Sequence, residues 1–297
     1  MSRHTNRPRT HPGGSVADGT SVMGGYLAGS VSVPGAGSTR ALIEIEDVSK
    51  DFTHQRGVVH ALAACSLDVA EGEFVTLIGP SGCGKSTLLR IIGGLLDTDS
   101  GRVQVGGRTP RENRAEKRFG LVPQSPALMP WLNVLDNVRL LQQVNRRAQN
   151  SEAKGVDPGV LLRSVGLGHF LHSYPKQLSG GMQQRVALVR AFALGAPILL
   201  MDEPFASLDE ITRSSMRYQL LEIWERSGKT VIFVTHSVAE AVMLSDRVLV
   251  FGGRPGRVIE TVQVTLPRPR VETMEDSPEF AEHARAIRAA LRRGWAQ

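Results

Sequence analysis

Phe74-Val75-Thr76-Leu77-Ile78 is a short, almost wholly apolar run that leads directly into Gly79-Pro80-Ser81-Gly82-Cys83-Gly84-Lys85-Ser86 and then Thr87–Ile92. Five such residues bounded by turn signals predict a strand buried on both faces. The glycine-rich stretch predicts a loop, and Thr87–Ile92 a helix behind it. The loop fits the pattern G-x-x-x-x-G-K-[ST]. Its glycines let the backbone wrap an anion so that successive N–H groups point at phosphate oxygens. Lys85 can then reach the β- and γ-phosphates of a nucleotide, and the Ser86 hydroxyl can ligate Mg²⁺. Gly79, Pro80, Ser81, Gly82, Cys83, Gly84, Lys85, Ser86 and Thr87 are the expected phosphate cradle, with Cys83 filling the loop rather than acting as a nucleophile. A glycine-rich turn without a ligand is the competing reading. A Lys-Ser pair set between a strand and a helix argues against it.

Outward from this point, strands and helices alternate. Leu42, Ile43 and Ile45 open one expected strand and Cys65–Val69 forms another. Ile198–Met201, Thr230–Val234 and Val248–Phe251 read as buried strands, Glu210–Arg226 and Val238–Leu244 as helices. Residues 133–196 are mostly helical in pattern, broken by the Gly-rich Leu178–Gly181. This alternation predicts an α/β protein with a mostly parallel sheet covered on both faces. Ile198-Leu199-Leu200-Met201 ends in Asp202-Glu203, so the strand should deliver two carboxylates to its C-terminal edge, where α/β ligands bind. Asp202 is then placed to hold Mg²⁺, directly or through water, and Glu203 to polarise the water that attacks a γ-phosphate. Near the C-terminus, Ser277 can cap a helix that starts with Pro278. Phe280, Ala284, Ile287 and Leu291 would form its packing face, and Gly294 is expected to end it.

Composition narrows the class. Over 297 residues, 41% are apolar and 22% charged, the balance of a globular chain with a real core. No apolar run approaches the roughly 18–20 residues a membrane-spanning helix needs. Two cysteines, Cys65 and Cys83, make no disulfide framework or zinc pattern, which points to a reducing compartment. Net charge is +6, and three of those units sit in residues 1–40, where Arg3, Arg7, Arg9 and Arg40 face Asp18 alone. Four scattered arginines do not make the concentrated basic face of a nucleic-acid binder, and no nucleic-acid partner is expected. Eighteen of residues 1–40 are Gly, Ser or Thr, with no sustained apolar segment, so they read as a disordered leader or, equally well, as the product of an over-extended start site.

Leu178-Ser179-Gly180-Gly181-Met182-Gln183-Gln184-Arg185 carries the most specific signal. It resembles the signature sequence of ATP-binding cassette (ABC) ATPases and stands 23 residues before Asp202, the order that family requires. Physically it is a second phosphate site, with a Ser hydroxyl and Gly N–H groups at a helix start. The resemblance implies that Ser179, Gly180 and Gly181 face the nucleotide held by a second copy of the chain, two copies sandwiching two ATP molecules. Other positions follow from the same resemblance. Gln124 matches the glutamine that contacts Mg²⁺ and water and reports nucleotide state to the membrane partner. His236 matches the histidine at the γ-phosphate, Asp209 the acid of the loop that crosses the dimer interface, and Phe52 the aromatic that stacks on adenine.

A narrower resemblance covers most of residues 42–270. Met129–Val138, Leu200–Phe205, Glu240–Arg247 and Pro267-Arg268-Pro269-Arg270 are similar to the nitrate/sulfonate/taurine importer branch. Pro123 stands where Phe usually precedes the glutamine, and Ser237 where Asp usually follows the histidine. The implied architecture is a P-loop core with an inserted helical subdomain over about 125–195 and an N-terminal antiparallel strand layer. The ATPase domain is expected over 41–266 and a C-terminal extension over 267–297. The implied role is ATP hydrolysis driving uptake of an aliphatic sulfonate, taurine or nitrate, by a homodimer bound peripherally at the cytoplasmic face of the plasma membrane. Two permease subunits and an extracytoplasmic solute-binding protein are its implied partners. A non-transport ABC ATPase acting on ribosomes or DNA would share every ATP motif but usually shows tandem cassettes or long heptad arms. A P-loop kinase or GTPase would share only Gly79–Ser86. Leu128, Met129, Trp131 and Leu132 are expected to form a docking groove for a permease helix, the alternative being that Trp131 fills an internal seam.

Overall fold

The strand expected at Phe74–Ile78 is β3 (Phe74–Ile78), buried along its whole length at the middle of a six-stranded sheet. The computed structural model describes Met1 and residues 41–55, 57–144 and 157–295. Residues 39–297 form one unit. Apart from Met1, the leader expected over 1–40 lies outside the described residues.

β1 (Ala41–His54) and β2 (Gly57–Ala70) form an antiparallel pair that β4 (Ser100–Val105) extends on the other side of β1. This is the expected antiparallel layer. The larger sheet also contains β5 (Phe119–Val122), β6 (Ile198–Asp202), β7 (Thr230–Thr235), β8 (Arg247–Gly252) and β9 (Arg257–Gln263). Its order is β5-β6-β7-β3-β8-β9, parallel throughout except for the antiparallel edge strand β9.

The apolar runs are unbroken because both faces of the sheet are covered. Ile198 and Leu200 of β6 join Val75, Leu77, Ile232 and Val234 in a core that also takes in α1 (Lys85–Ile92) and the small sheet. Leu199 and Met201 point the other way, into a core with α5 (Gly180–Ala193) and α6 (Glu210–Ser227). There Phe74 meets the Trp224 ring edge-on at 5.2 Å. A third cluster joins α7 (Val238–Leu244) and α8 (Pro278–Trp295) to β8. A fourth unites α3 (Val134–Val144), α4 (Pro158–Ser164) and one side of α5 into a helical arm with its own core. A short helix, α2 (Pro110–Ala115), closes the order with a Thr109/Glu112 capping box.

Two expectations need correction. α1 begins at Lys85, not Thr87, because Gly84 at φ 88° already serves as its cap. Gly294 does not end α8, which runs to Trp295. It is a close-approach residue: a Cβ there would come within 2.4 Å of Ile259 Cδ1. The Ser277 cap is as expected, its Oγ accepting from Phe280 N at 3.1 Å.

Candidate active site

β3, β6 and β7 all end at the same edge of the sheet, so parallel pairing gathers three chemically charged chain ends. After β3, the glycine loop turns into α1, and the Ser86 hydroxyl donates to Asp202 Oδ1 at the end of β6, 2.6 Å away across 116 residues. Lys85 is 4% exposed, and its Nζ donates to the carbonyls of Gly79 (2.9 Å) and Pro80 (2.8 Å). Those bonds hold the ammonium over the loop, and among the described residues no carboxylate pairs with it. Gly84 cannot be replaced without a clash, since a Cβ would come 2.5 Å from Ala61 O at a backbone angle side chains avoid.

Glu203 follows Asp202 in the left-handed region, φ 46°, with its N–H tied to Val234 O at 3.0 Å. A non-glycine residue there costs of order 1–3 kcal/mol and persists only where the surroundings enforce it. Its effect is to turn the carboxylate away from the strand line toward the end of β7, where Glu203 Oε2 lies 3.3 Å from His236 Nδ1. An open cleft of about 800 Å³ is lined by Ser81, Gly82, Gly84, Lys85, Ser86, Thr87, Gln124 and Glu203 on one side. Phe52, Val58, Val59, His60 and Ala61 of β1 and β2 form the other. Buried Cys83 packs beneath the loop and does not line the cleft.

Ser179, Gly180 and Gly181 sit elsewhere. Ser179 caps α5, its Oγ accepting from Met182 N at 3.3 Å, and the helix start is exposed. None of the three lines the cleft of its own chain. Beside them, Asp209 caps α6 by accepting from Thr212 N at 3.0 Å, and those hydrogen bonds hold its carboxyl below the usual range. Gly181 packs against Thr212, so the two exposed helix starts lie side by side.

A family profile described as ABC transporter matches residues 62–206. A taurine import ATP-binding protein of Rhizobium johnstonii is 42% identical over 257 residues, 84% of this chain and 96% of its own. An aliphatic sulfonates import ATP-binding protein of Bacillus cereus is 40% identical over 238 residues, covering 80% and 92%. The chain belongs to the ABC transporter ATP-binding family. Among solved structures, a dimeric ATP-binding cassette in a post-hydrolysis state with ADP and Pi superposes with a TM-score of 0.63 at 32% identity. That match covers 76% of this chain and all of the other. Relatives that are import ATP-binding proteins favour the transport reading over ribosome- or DNA-directed ATPases.

Some residues that shape the cassette's site carried no signal in the sequence. The segment after Gln124 is held from below by two buried side chains. Arg190 of α5 donates to Pro126 O at 2.7 Å and Ala127 O at 2.8 Å, and burial pushes its guanidinium below the usual range. Asn137 of α3 is fully buried, accepts from Met129 N at 2.7 Å and donates to the carbonyls of Met129, Leu132 and Asn133. Arg213 of α6 donates to Leu208 O at 2.6 Å and lies 3.9 Å from Glu240, which accepts from Thr235 just before His236. Burial raises the Glu240 pKa. Arg190 reaches partners 63 and 64 residues away, whereas Asn137, Arg213 and Glu240 hydrogen-bond within eight residues, through contacts that no motif announces. Ser237, the departure from the family's Asp, still caps α7 by accepting from Glu240 N at 3.3 Å.

Trp131 is 70% exposed, while Leu128, Met129 and Leu132 are half-buried beside it. The seam-filling reading of Trp131 is therefore wrong. Asn137 is the structural residue here. Asn137→Ala should cost about 1–3 kcal/mol, the penalty of leaving buried backbone groups unpaired. Urea unfolding of the variant measures it, and an unchanged midpoint would contradict this account of the segment.

Proposed function

We infer that this chain is the ATP-hydrolysing motor subunit of an ABC importer for sulfonates. The observation that carries the reading is the Ser86–Asp202 hydrogen bond with Glu203 and His236 beside it, three separate chain ends at one edge of the sheet, of which Ser86 and Glu203 line the cleft. In this reading Phe52 stacks on adenine, and the amides of Gly79–Thr87 with Lys85 hold the phosphates. The oxygen donors of Ser86, Asp202 and Gln124 suit a hard cation that is also bound by substrate phosphates, and Mg²⁺ would supply charge neutralisation there. Glu203 takes the proton of the attacking water, and His236 orients the γ-phosphate and Glu203 together. Ser179, Gly180 and Gly181 of a second copy close over the phosphates, and Asp209 crosses between copies. Their exposure in the single chain supports that role.

The working assembly is a homodimer with two permease subunits and an extracytoplasmic solute-binding protein, the cassettes lying peripherally at the cytoplasmic face of the plasma membrane. Among the described residues no helix is long and apolar enough to cross a membrane, so this chain needs a separate pore. The ATPase domain spans 41–266, its helical arm about 125–195, and 267–297 is an extension that packs α8 on the core.

The solute class is proposed from the two named relatives. Taurine is itself an aliphatic sulfonate bearing an amine, so alkanesulfonates come first, taurine second and nitrate third. A strain lacking this chain should fail to grow with an alkanesulfonate or taurine as sole sulfur source and grow normally on sulfate. Normal growth on all three would overturn the solute assignment.

A further inference from the structure

The turn between β8 and β9 belongs to none of the recognised ATP motifs, yet it forms part of the cleft. Its Arg254 and Pro255 line the same cavity as Phe52, Lys85, Gln124 and Glu203. Arg254 Nη2 donates to Ser81 O at 3.1 Å, and the guanidinium lies 2.8 Å from where a Cβ on Gly82 would stand. The turn cannot drift. Gly256 N donates to Ala61 O at 3.0 Å, Gly256 O accepts from Ala63 N at 3.1 Å, and a Cβ on Gly256 would come 1.9 Å from Cys83 O. It is wedged between the phosphate loop and the strand that carries His60, which fixes Arg254 relative to both.

Charge gives this position its meaning. Of the cleft's lining residues, only Lys85 and Arg254 carry a fixed positive charge, and among the described residues no carboxylate pairs with Arg254. A guanidinium presents five donors in a planar fork suited to phosphate oxygens. One of its nitrogens is bonded to Ser81 O, and donors remain over for a ligand. Lys85, by contrast, is buried and anchored to loop carbonyls.

We propose that Arg254 is a second nucleotide-contacting cation, donating to the phosphate chain of ATP bound in the cleft of its own protomer. The proposal rests on the ATP-binding reading above and adds to it a residue outside the glycine loop. The contact is charge-assisted, and the chemistry it reads is phosphate, not base or sugar.

The test uses the full chain with Arg254→Met, which keeps the stem length, Arg254→Lys, and Lys85→Ala as a control. ATP and ADP affinities are measured by calorimetry, and adenosine binding by ligand-observed NMR. Arg254→Met should weaken ATP and ADP about tenfold or more, the scale of a lost charge-assisted hydrogen bond, and leave adenosine unchanged. Arg254→Lys should recover part of the loss. A brace for Ser81 alone would lower the melting temperature and shift ATP and adenosine together, which would overturn the proposal. So would an ATP affinity for Arg254→Met within twofold of the parent while Lys85→Ala loses binding. If Lys85→Ala also binds ATP normally, the ATP-binding reading itself fails.

Discussion

Glu203→Gln is expected to bind ATP normally and lose turnover by roughly 10²-fold or more, the contribution of a general base. The amide preserves the shape of the carboxylate but is a far poorer proton acceptor. Nothing in the fold depends on the ionised group. Glu203 is held by its backbone, through the bond to Val234 O, and its side chain touches His236 at 3.3 Å. The variant should therefore accumulate as a closed dimer with ATP trapped between the copies, because assembly needs phosphate contacts and release needs hydrolysis. Size-exclusion chromatography with ATP reads the dimer, and phosphate release reads the turnover. Wild-type hydrolysis by Glu203→Gln would remove Glu203 from the base role and leave the phosphate loop assignment standing.

Trp131→Ala should abolish transport while leaving the isolated subunit almost untouched. An indole that is 70% exposed contributes little to the core, and surface substitutions of this kind usually fall within about 0.5 kcal/mol. Burying the same ring against a permease helix is another matter, since aromatic anchors carry a large share of interface energy. Trp131 stands on a segment whose backbone is clamped by Arg190 and Asn137 and whose other end is Gln124 at the cleft. If the permease docks here, that clamping would let a push at Trp131 reach the nucleotide site instead of being lost in a loose loop. The expected pattern is normal ATP affinity, a melting temperature within a few degrees of the parent, lost pull-down with the permease and no uptake. A Trp131→Ala subunit that pulls down permease as well as the parent would sink the docking role.

Legibility followed burial. β3, β6, β7 and β8 lie inside the sheet, packed on both faces, so their apolar runs stand out from sequence alone. The three strands without an expectation, β4, β5 and β9, are all edge strands. Edges face water on one side and carry Arg102, Gln104, Gly120 and Glu260 among their apolar residues, which blurs the run. β2 was legible at Cys65–Val69, where it is buried in part, and not at Gly57–His60, where it is exposed.

The site shows the same division. Residues that act through local geometry, from Gly79 to Thr87 and at Asp202-Glu203, are contiguous and readable. His236, Gln124 and Asp209 were reachable only through family resemblance, because a lone His, Gln or Asp has no distinguishing neighbours. Arg190 and Arg254 work on partners 63 or more residues away, brought close only by the fold. Asn137, Arg213 and Glu240 hydrogen-bond within eight residues, but one Asn, Arg or Glu near a turn is too common to mark a site. Gly294 misled for a related reason. Glycine at a helix end and glycine at a helix–strand crossing look alike until Ile259 is seen against it.

Hydrolysis in this cleft is harnessed to solute uptake. The most direct measurement is ATP hydrolysis by the complete complex in proteoliposomes, with permease subunits in the membrane and solute-binding protein supplied on the outer side. Phosphate release should rise several-fold when the binding protein is loaded with an alkanesulfonate or taurine, and labelled solute should accumulate inside in step with it. With Glu203→Gln in the cassettes, both signals should vanish. ATP hydrolysis indifferent to loaded binding protein, with no accumulation of solute, would show that this cassette does not power uptake.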